Sequence, residues 1–421
     1  MKKTYLAVCA LLVLMLTGSA FGAGFWLPEL PGTSALGMGL SFVGKADDPT
    51  ALYYNPAGIG QLDGTQVYLN GTLISYEVGV NLYDASFQET GNVEIDDREI
   101  FPYFGITSDF GLDRLTFGLA AYGVFGLAFD YPDDGPQRYL TQGVDLRTYF
   151  FNPTVAYDIS DALTMALGIK IARMDITMER AIDGSGYQMR DYDIDTEISG
   201  SAMDYGFDLS LLYKVSDTFQ LGLVYDSKIA FCSDDVDFEV DFPATIPYPD
   251  TTINGETELS LPASLRAGAM YQATEKLALT FEIDWMQWDV WDTVTVELDE
   301  PVIPGDPTTQ EFVLRRYWNN SFSYRLGSEY QVNDALCLRG GFMYDETAID
   351  DEYLEPNVPG TDKWALSAGL AYTWNKLTVD LAYMHFFPDD RDIKTSMQDP
   401  SANGKYTSAF DFLGLGIKYI F

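Results

Sequence analysis

The chain is poor in histidine, poor in basic residues, and has no long apolar run after its first residues. It holds one His and 25 Lys and Arg against 63 Asp and Glu in 421 residues, a formal net charge of -38. So acidic a chain excludes nucleic acid as a partner, because phosphate backbones are recognised through clustered cations. The lone His385 leaves no Ser and His pair and no acid and His pair with nucleophile context. Walker, dinucleotide-glycine, zinc-spacing and EF-hand patterns are also missing. The sequence therefore reads as a non-enzyme, with no catalytic residue, cofactor or metal site. An apolar run long enough for a membrane-crossing helix, roughly 20 residues, is nowhere found.

Aromatics are abundant at 14%, so the acid is carried on an ordered scaffold, since disordered acidic chains are poor in aromatics. Lys2 and Lys3, an apolar stretch from Tyr5 to Leu16 and the small residues to Gly22 read as a secretory signal over residues 1–22. The last twelve residues alternate, with Leu413, Leu415, Ile417, Tyr419 and Phe421 on one face and Gly414, Gly416 and Lys418 on the other. That period of two suits a strand with lipid on one side and a polar lumen on the other. It recurs in Leu277, Leu279, Phe281, Ile283 and Trp285 against Thr280, Glu282 and Asp284, and again from Trp364 to Trp374.

About fourteen such strands follow residue 65, joined by six short turns and seven long acidic connections, among them 77–99, 181–196, 231–257 and 346–362. The predicted fold is all-β: a 14-stranded antiparallel transmembrane β-barrel over 65–421, with 23–64 as an N-terminal plug or hatch in its lumen. On this reading Cys9 leaves with the signal. Cys232 lies near the outer rim and Cys337 near the periplasmic rim, too far apart for a disulfide, so both are expected as free thiols.

The segments AGFWLPE (23–29), ALGMG (35–39) and ADDPTALYYNPAG (46–58) resemble the N-terminal hatch of the FadL/TodX family of outer-membrane transporters. Those proteins carry long-chain fatty acids and other hydrophobic compounds. The resemblance continues at ELSLPASLRAGAMY (258–271), FEIDWMQW (281–288), 323–347 and KWALSAGLAYTW (363–374). It implies passive uptake from outside, binding near the hatch, and sideways release into the membrane at an inward kink of the third strand. That strand is read as Arg114 to Phe129 and carries Gly118, Gly123 and Gly126. Phe25 becomes a candidate pocket wall, and Asn55, Pro56 and Ala57 become candidate hatch or gating residues.

In the fifth strand, parity turns Met174, Ile176, Met178 and Arg180 into the lumen, an apolar stripe ending in a cation. Arg180 also falls where the fatty acid transporters resembled here carry a carboxylate-binding arginine. The plain alternative is packing against the hatch, with Arg180 paired to a loop acid. Arg315 and Arg316 form a second candidate cationic pair. Two features depart from the fatty acid transporters, the first altering the outer hydrophobic groove that the resemblance implies and the second favouring a neutral hydrophobe such as an aromatic hydrocarbon. The connection 181–196 is short and acidic, and Asp208, Glu282, Asp284, Glu329 and Asp380 share lumen parity unless paired with Lys170, Arg325, Arg339 or Lys418. A polar-solute porin and an adhesin barrel are the rival classes. The expected partners are the hydrophobic ligand, outer-membrane lipid and lipopolysaccharide, with the barrel as a monomer. Acidic clusters such as Asp350, Asp351 and Glu352 raise the further option of bound Ca²⁺ or Mg²⁺.

Overall fold

A computed structural model describes residues 30–183, 193–243, 249–303 and 306–421. The signal segment and Phe25 lie outside the described residues. Alternating sequence produces twenty strand segments that combine into fourteen spans of one closed antiparallel barrel. The first spans are β1 (Thr65–Tyr83), β2 (Glu89–Ser108) and a broken third span, β3 (Leu115–Tyr122) with β4 (Gly126–Asp130). Next come β5 (Gly143–Ser160), β6 (Leu163–Asp183) and β7 (Asp193–Ser216).

Four further spans are each broken at a similar height. They are β8 (Phe219–Asp226) with β9 (Ile229–Asp241), and β10 (Thr251–Leu261) with β11 (Ser264–Thr274). The other two are β12 (Leu277–Met286) with β13 (Thr293–Leu298), and β14 (Glu311–Arg315) with β15 (Ser321–Gln331). The spans β16 (Leu336–Asp345), β17 (Lys363–Trp374), β18 (Leu377–Pro388) and β20 (Gly404–Ile420) complete the wall, and the short β19 (Arg391–Ile393) pairs with β20. Closure is made by β1 against β20, from Gln66↔Ile420 to Leu82↔Gly404.

Outside, the apolar stripes expected to face lipid are exposed, as with Leu279 and Phe281 on β12, while Thr280, Glu282 and Asp284 between them are buried. The acidic connections differ from the sequence reading. Residues 77–83, 89–99, 231–241 and 251–257 are strand, not loop, because β1, β2, β9 and β10 continue beyond the apolar belt. There the alternation changes sense: Val78, Val80, Val236, Phe238 and Val240 are buried and their acidic neighbours turn outward to water. The extension built from β7, β9, β10, β13 and β14 has its own core around Ile194, Phe238, Ile253 and Val296.

Residues 30–64 lie inside the barrel, almost entirely buried. They form short helical turns, Thr33–Leu36 and Ala51–Tyr54, followed by a 3-10 turn, Pro56–Gln61. Such short turns cannot hold themselves together, and the wall supplies their partners. Gly32 N–H donates to Asn70 Oδ1 at 3.0 Å and Gly39 N–H to Ser367 Oγ at 2.8 Å. Gln220 donates to Gly44 O at 2.9 Å, and Tyr103 OH to Pro49 O at 2.8 Å. Backbone approaches backbone where side chains are missing: a Cβ on Gly341 would stand 2.0 Å from Gly39 N.

Candidate functional site

The lumen acids are paired. Arg325 bridges Glu282 at 2.9 Å and Asp284 at 2.6 Å, and Arg339 bridges Glu329 at 2.8 Å and Asp380 at 2.6 Å. Arg266, which the sequence reading did not single out, pairs with Asp226 at 2.8 Å; Asp226 also pairs with Lys170. Asp208 accepts from Asn152 at 2.9 Å, and Lys418 forms no ion pair among the described residues. These networks tie the wall to the hatch, since Arg266 donates to Tyr53 O at 3.0 Å and Glu282 accepts from Phe42 and Val43 N–H. Within the hatch, burial pulls the Lys45 ammonium down, but Asp47 and Glu329 outweigh it and hold the amine above its ordinary value.

Asn55 joins hatch to wall. Its Nδ2 donates to Val43 O at 2.8 Å and to Leu211 O at 3.2 Å, and its Oδ1 accepts from Ala57 N–H at 3.2 Å. Ala57 N–H also donates to Ser210 Oγ at 2.8 Å. Pro56 starts the turn, where its missing N–H costs no hydrogen bond.

The third span breaks at Gly123, Val124 and Phe125. Below the break β3 pairs with β2 up to Phe104↔Ala121; above it β4 pairs with β5 alone. Val124 to Phe129 lose alternation and are buried at every described position, so this half of the strand is tucked into the lumen. Tyr76 OH, from β1, reaches Ala128 O at 3.4 Å across the space so created. Of the three glycines, Gly118 packs against Leu52 of the hatch, Gly123 lies against Thr148 O of β5, and Gly126 begins β4. Beside the break, Tyr53, Tyr122, Phe125 and Phe150 wall a small cavity that also borders Lys170 and Asp226.

Higher in the lumen, Met174 is buried on β6, and Ile176 and Met178 pack against the main core. Above them Arg180 faces a cavity of about 80 Å³ lined by Leu140, Met178, Ile198, Phe312 and Leu314, with Asn357 and the carboxylates of Glu179, Glu355 and Asp399. Its guanidinium lies 5.4 Å from the centre of the Phe312 ring. Among the described residues Arg180 forms no ion pair. Arg316, close by and buried, is paired with Glu355 at 2.5 Å, whereas Arg315 is exposed. The structure thus brings Arg180 to Arg316 and separates Arg315 from both.

Phe312, Glu355 and Leu140 belong to segments far apart in sequence and carry no local signal of a site. Next to Tyr139, which lines the cavity, Arg138 pairs with Asp193 at 2.6 Å; burial pulls that guanidinium down, and the carboxylate holds it above its ordinary value. Of the acids read as a cation cluster, Asp351 pairs with Arg391 at 2.6 Å and Asp350 accepts from Asn319 at 2.8 Å. Among the described residues no group of three or more His, Cys, Asp or Glu is arranged to hold a metal ion.

A family model described as "Outer membrane protein transport protein (OMPP1/FadL/TodX)" matches residues 13–421. The sequence is 22% identical over 423 residues to a long-chain fatty acid transport protein of Escherichia coli, covering 91% of each chain. A Pseudomonas aeruginosa FadL homologue shares the fold at a TM-score of 0.81 and 18% identity, covering 94% of this chain and 99% of that one. The Pseudomonas putida toluene transporter TodX does so at 0.68 and 16%, covering 89% and 94%.

Proposed function

The chain belongs to the OMPP1/FadL/TodX family of outer membrane transport proteins, and on that premise we propose that it takes up long-chain fatty acids by passive diffusion. The observation that carries this reading is Arg180. It faces a cavity at the head of an apolar stripe and forms no ion pair among the described residues, whereas its neighbour Arg316 is paired with Glu355. Glu179, Glu355 and Asp399 also line that cavity, and a monoanionic head group pairs with the Arg180 cation there. The tail replaces contacts along Met178, Ile176 and Met174, with apolar burial contributing about 25 cal/mol per Å².

The cavity of about 80 Å³ is smaller than the ~150 Å³ that admits benzene, so binding displaces the covering segments. Movement of the hatch around Asn55 opens the path onward. Release is sideways, past the tucked segment Gly123–Phe125, where β2 has no third-span partner. The barrel works as a monomer among lipid and lipopolysaccharide.

One observation favours a neutral aromatic cargo instead. The cavity beside the third-span break is walled by four aromatic rings, and Lys170, the cation on its border, is already paired with Asp226. Competition binding to the purified barrel and to Arg180→Ala separates the readings. Preferential fatty acid binding lost in Arg180→Ala supports the acid; preferential binding of a neutral aromatic hydrocarbon, indifferent to the change, replaces it.

A further inference from the structure

We propose that uncharged hydrophobic molecules pass into this barrel through a second opening in its wall, between β10 and β13, away from the third-span break. The inference rests on the reading that the barrel carries hydrophobic molecules. Along these neighbouring spans the ladder runs from Thr274↔Leu277 to Ser264↔Met286 and then stops. It resumes only for Gly255↔Leu298 to Thr257↔Val296. The interval is bounded by Gln287 N–H donating to Ala263 O at 2.9 Å and Thr257 Oγ1 donating to Thr295 O at 2.8 Å. Within it, residues 258–262 and 288–294 face each other without strand pairing, and the Trp291 side chain spans the space, its Nε1 donating to Ser260 O at 2.6 Å.

The opening lies just above Trp285, the top of the lipid-facing stripe; two residues along a strand are about 7 Å, the level of lipid head groups. On the outside it is a groove of about 450 Å³ with Val290, Trp291 and Val294 as its floor. An aromatic row leads inward from that floor. Trp291 stacks on Trp318 at 5.2 Å, Trp318 meets Trp288 at 5.2 Å, and Trp288 meets Phe125 at 6.4 Å, at the third-span break. Trp318 is 5% exposed and its Nε1 finds no acceptor among the described residues. A buried donor without an acceptor is costly.

The groove's rim selects by charge. Glu256, Glu258 and Glu297 outnumber Lys228, so a carboxylate is repelled and an uncharged molecule is not. The wall opening and the Arg180 cavity thereby sort two kinds of cargo.

The native chain provides its own probe, because Cys232 is exposed in the groove and Cys337 is buried. The folded barrel is labelled at Cys232 with a bulky uncharged maleimide on intact cells whose lipopolysaccharide outer leaflet bars direct entry, and uptake of radiolabelled toluene and of palmitate is followed against cells lacking the barrel, with Cys232→Ser treated alike. The expected result is toluene uptake slowed several-fold in the labelled native chain alone, with palmitate unchanged. Thr293→Trp should reproduce the block without chemistry. Unchanged toluene uptake at complete labelling, and in Thr293→Trp, overturns the opening while leaving transport intact. Uptake of neither compound by the unlabelled barrel defeats the transport reading itself, and this inference with it.

Discussion

The carboxylate of Glu282 on β12 receives the Val43 N–H of the hatch at 2.7 Å while holding Arg325 at 2.9 Å, so one buried side chain serves both wall and plug. Glu282→Ala leaves two hatch N–H groups without that acceptor and removes one of the two carboxylates from Arg325. Breaking a buried ion pair costs about 3–5 kcal/mol. The variant should melt earlier and, with the hatch loosened, pass a larger ion current in planar bilayers. Glu282→Gln keeps an acceptor and should leak less than Glu282→Ala. Melting and conductance equal to the native barrel in both variants would show that Glu282 does not anchor the hatch.

Glu355 pairs with Arg316 and lines the cavity that Arg180 faces, so it is a resident anion at the site. Glu355→Gln raises the local charge by one, so a long-chain carboxylate should bind more tightly and lose more affinity as salt is added. Displacement titrations at two ionic strengths read both effects. Weaker binding at low salt would instead mean that Glu355 serves the site by positioning Arg316, not by competing with the ligand.

The lipid-facing stripe Leu277 to Trp285 was legible because bilayer and lumen impose opposite polarity on alternate residues. The same rule misplaced 231–241 and 251–257. Above the bilayer the outer surface meets water, so VDFEVD (236–241) alternates in the inverse sense and looks like an acidic loop. Arg180 and the stripe below it could be read from parity within one strand. Phe312 and Glu355 could not, since they reach Arg180 only through the packing of distant connections. The glycines of the third span were visible, yet the tuck itself is written in the run Val124 to Phe129, where alternation vanishes because both faces are covered.

Gly123 offers a direct probe of sideways release. A Cβ there would stand 2.7 Å from Thr148 O, so Gly123→Val must push the tucked segment off β5. Equilibrium binding of a hydrophobe at Arg180 should persist, while its dissociation rate and its delivery into the bilayer change together. Delivery at the native rate from this variant would place the exit elsewhere.

Asn55 allows an ordering to be forecast. Its amide donates to two carbonyls, Val43 O and Leu211 O, and accepts from Ala57 N–H. Asn55→Ala removes all three bonds, each worth about 0.5–1.5 kcal/mol net. Asn55→Asp keeps the acceptor but sets a carboxylate oxygen against two carbonyl oxygens, a repulsive arrangement that Asn55→Ala avoids. Gly222→Ala acts on the same spot from the wall, because its Cβ would lie 2.2 Å from Val43 O and 2.6 Å from Asn55 Nδ2. Hydrogen exchange over residues 43–62 should therefore quicken less in Asn55→Ala than in Asn55→Asp, with barrel amides still protected in both. Exchange that quickens equally in hatch and barrel would mean the contact stabilises the whole fold and is not a local latch; unaltered exchange would mean that Asn55 does not hold the hatch in place.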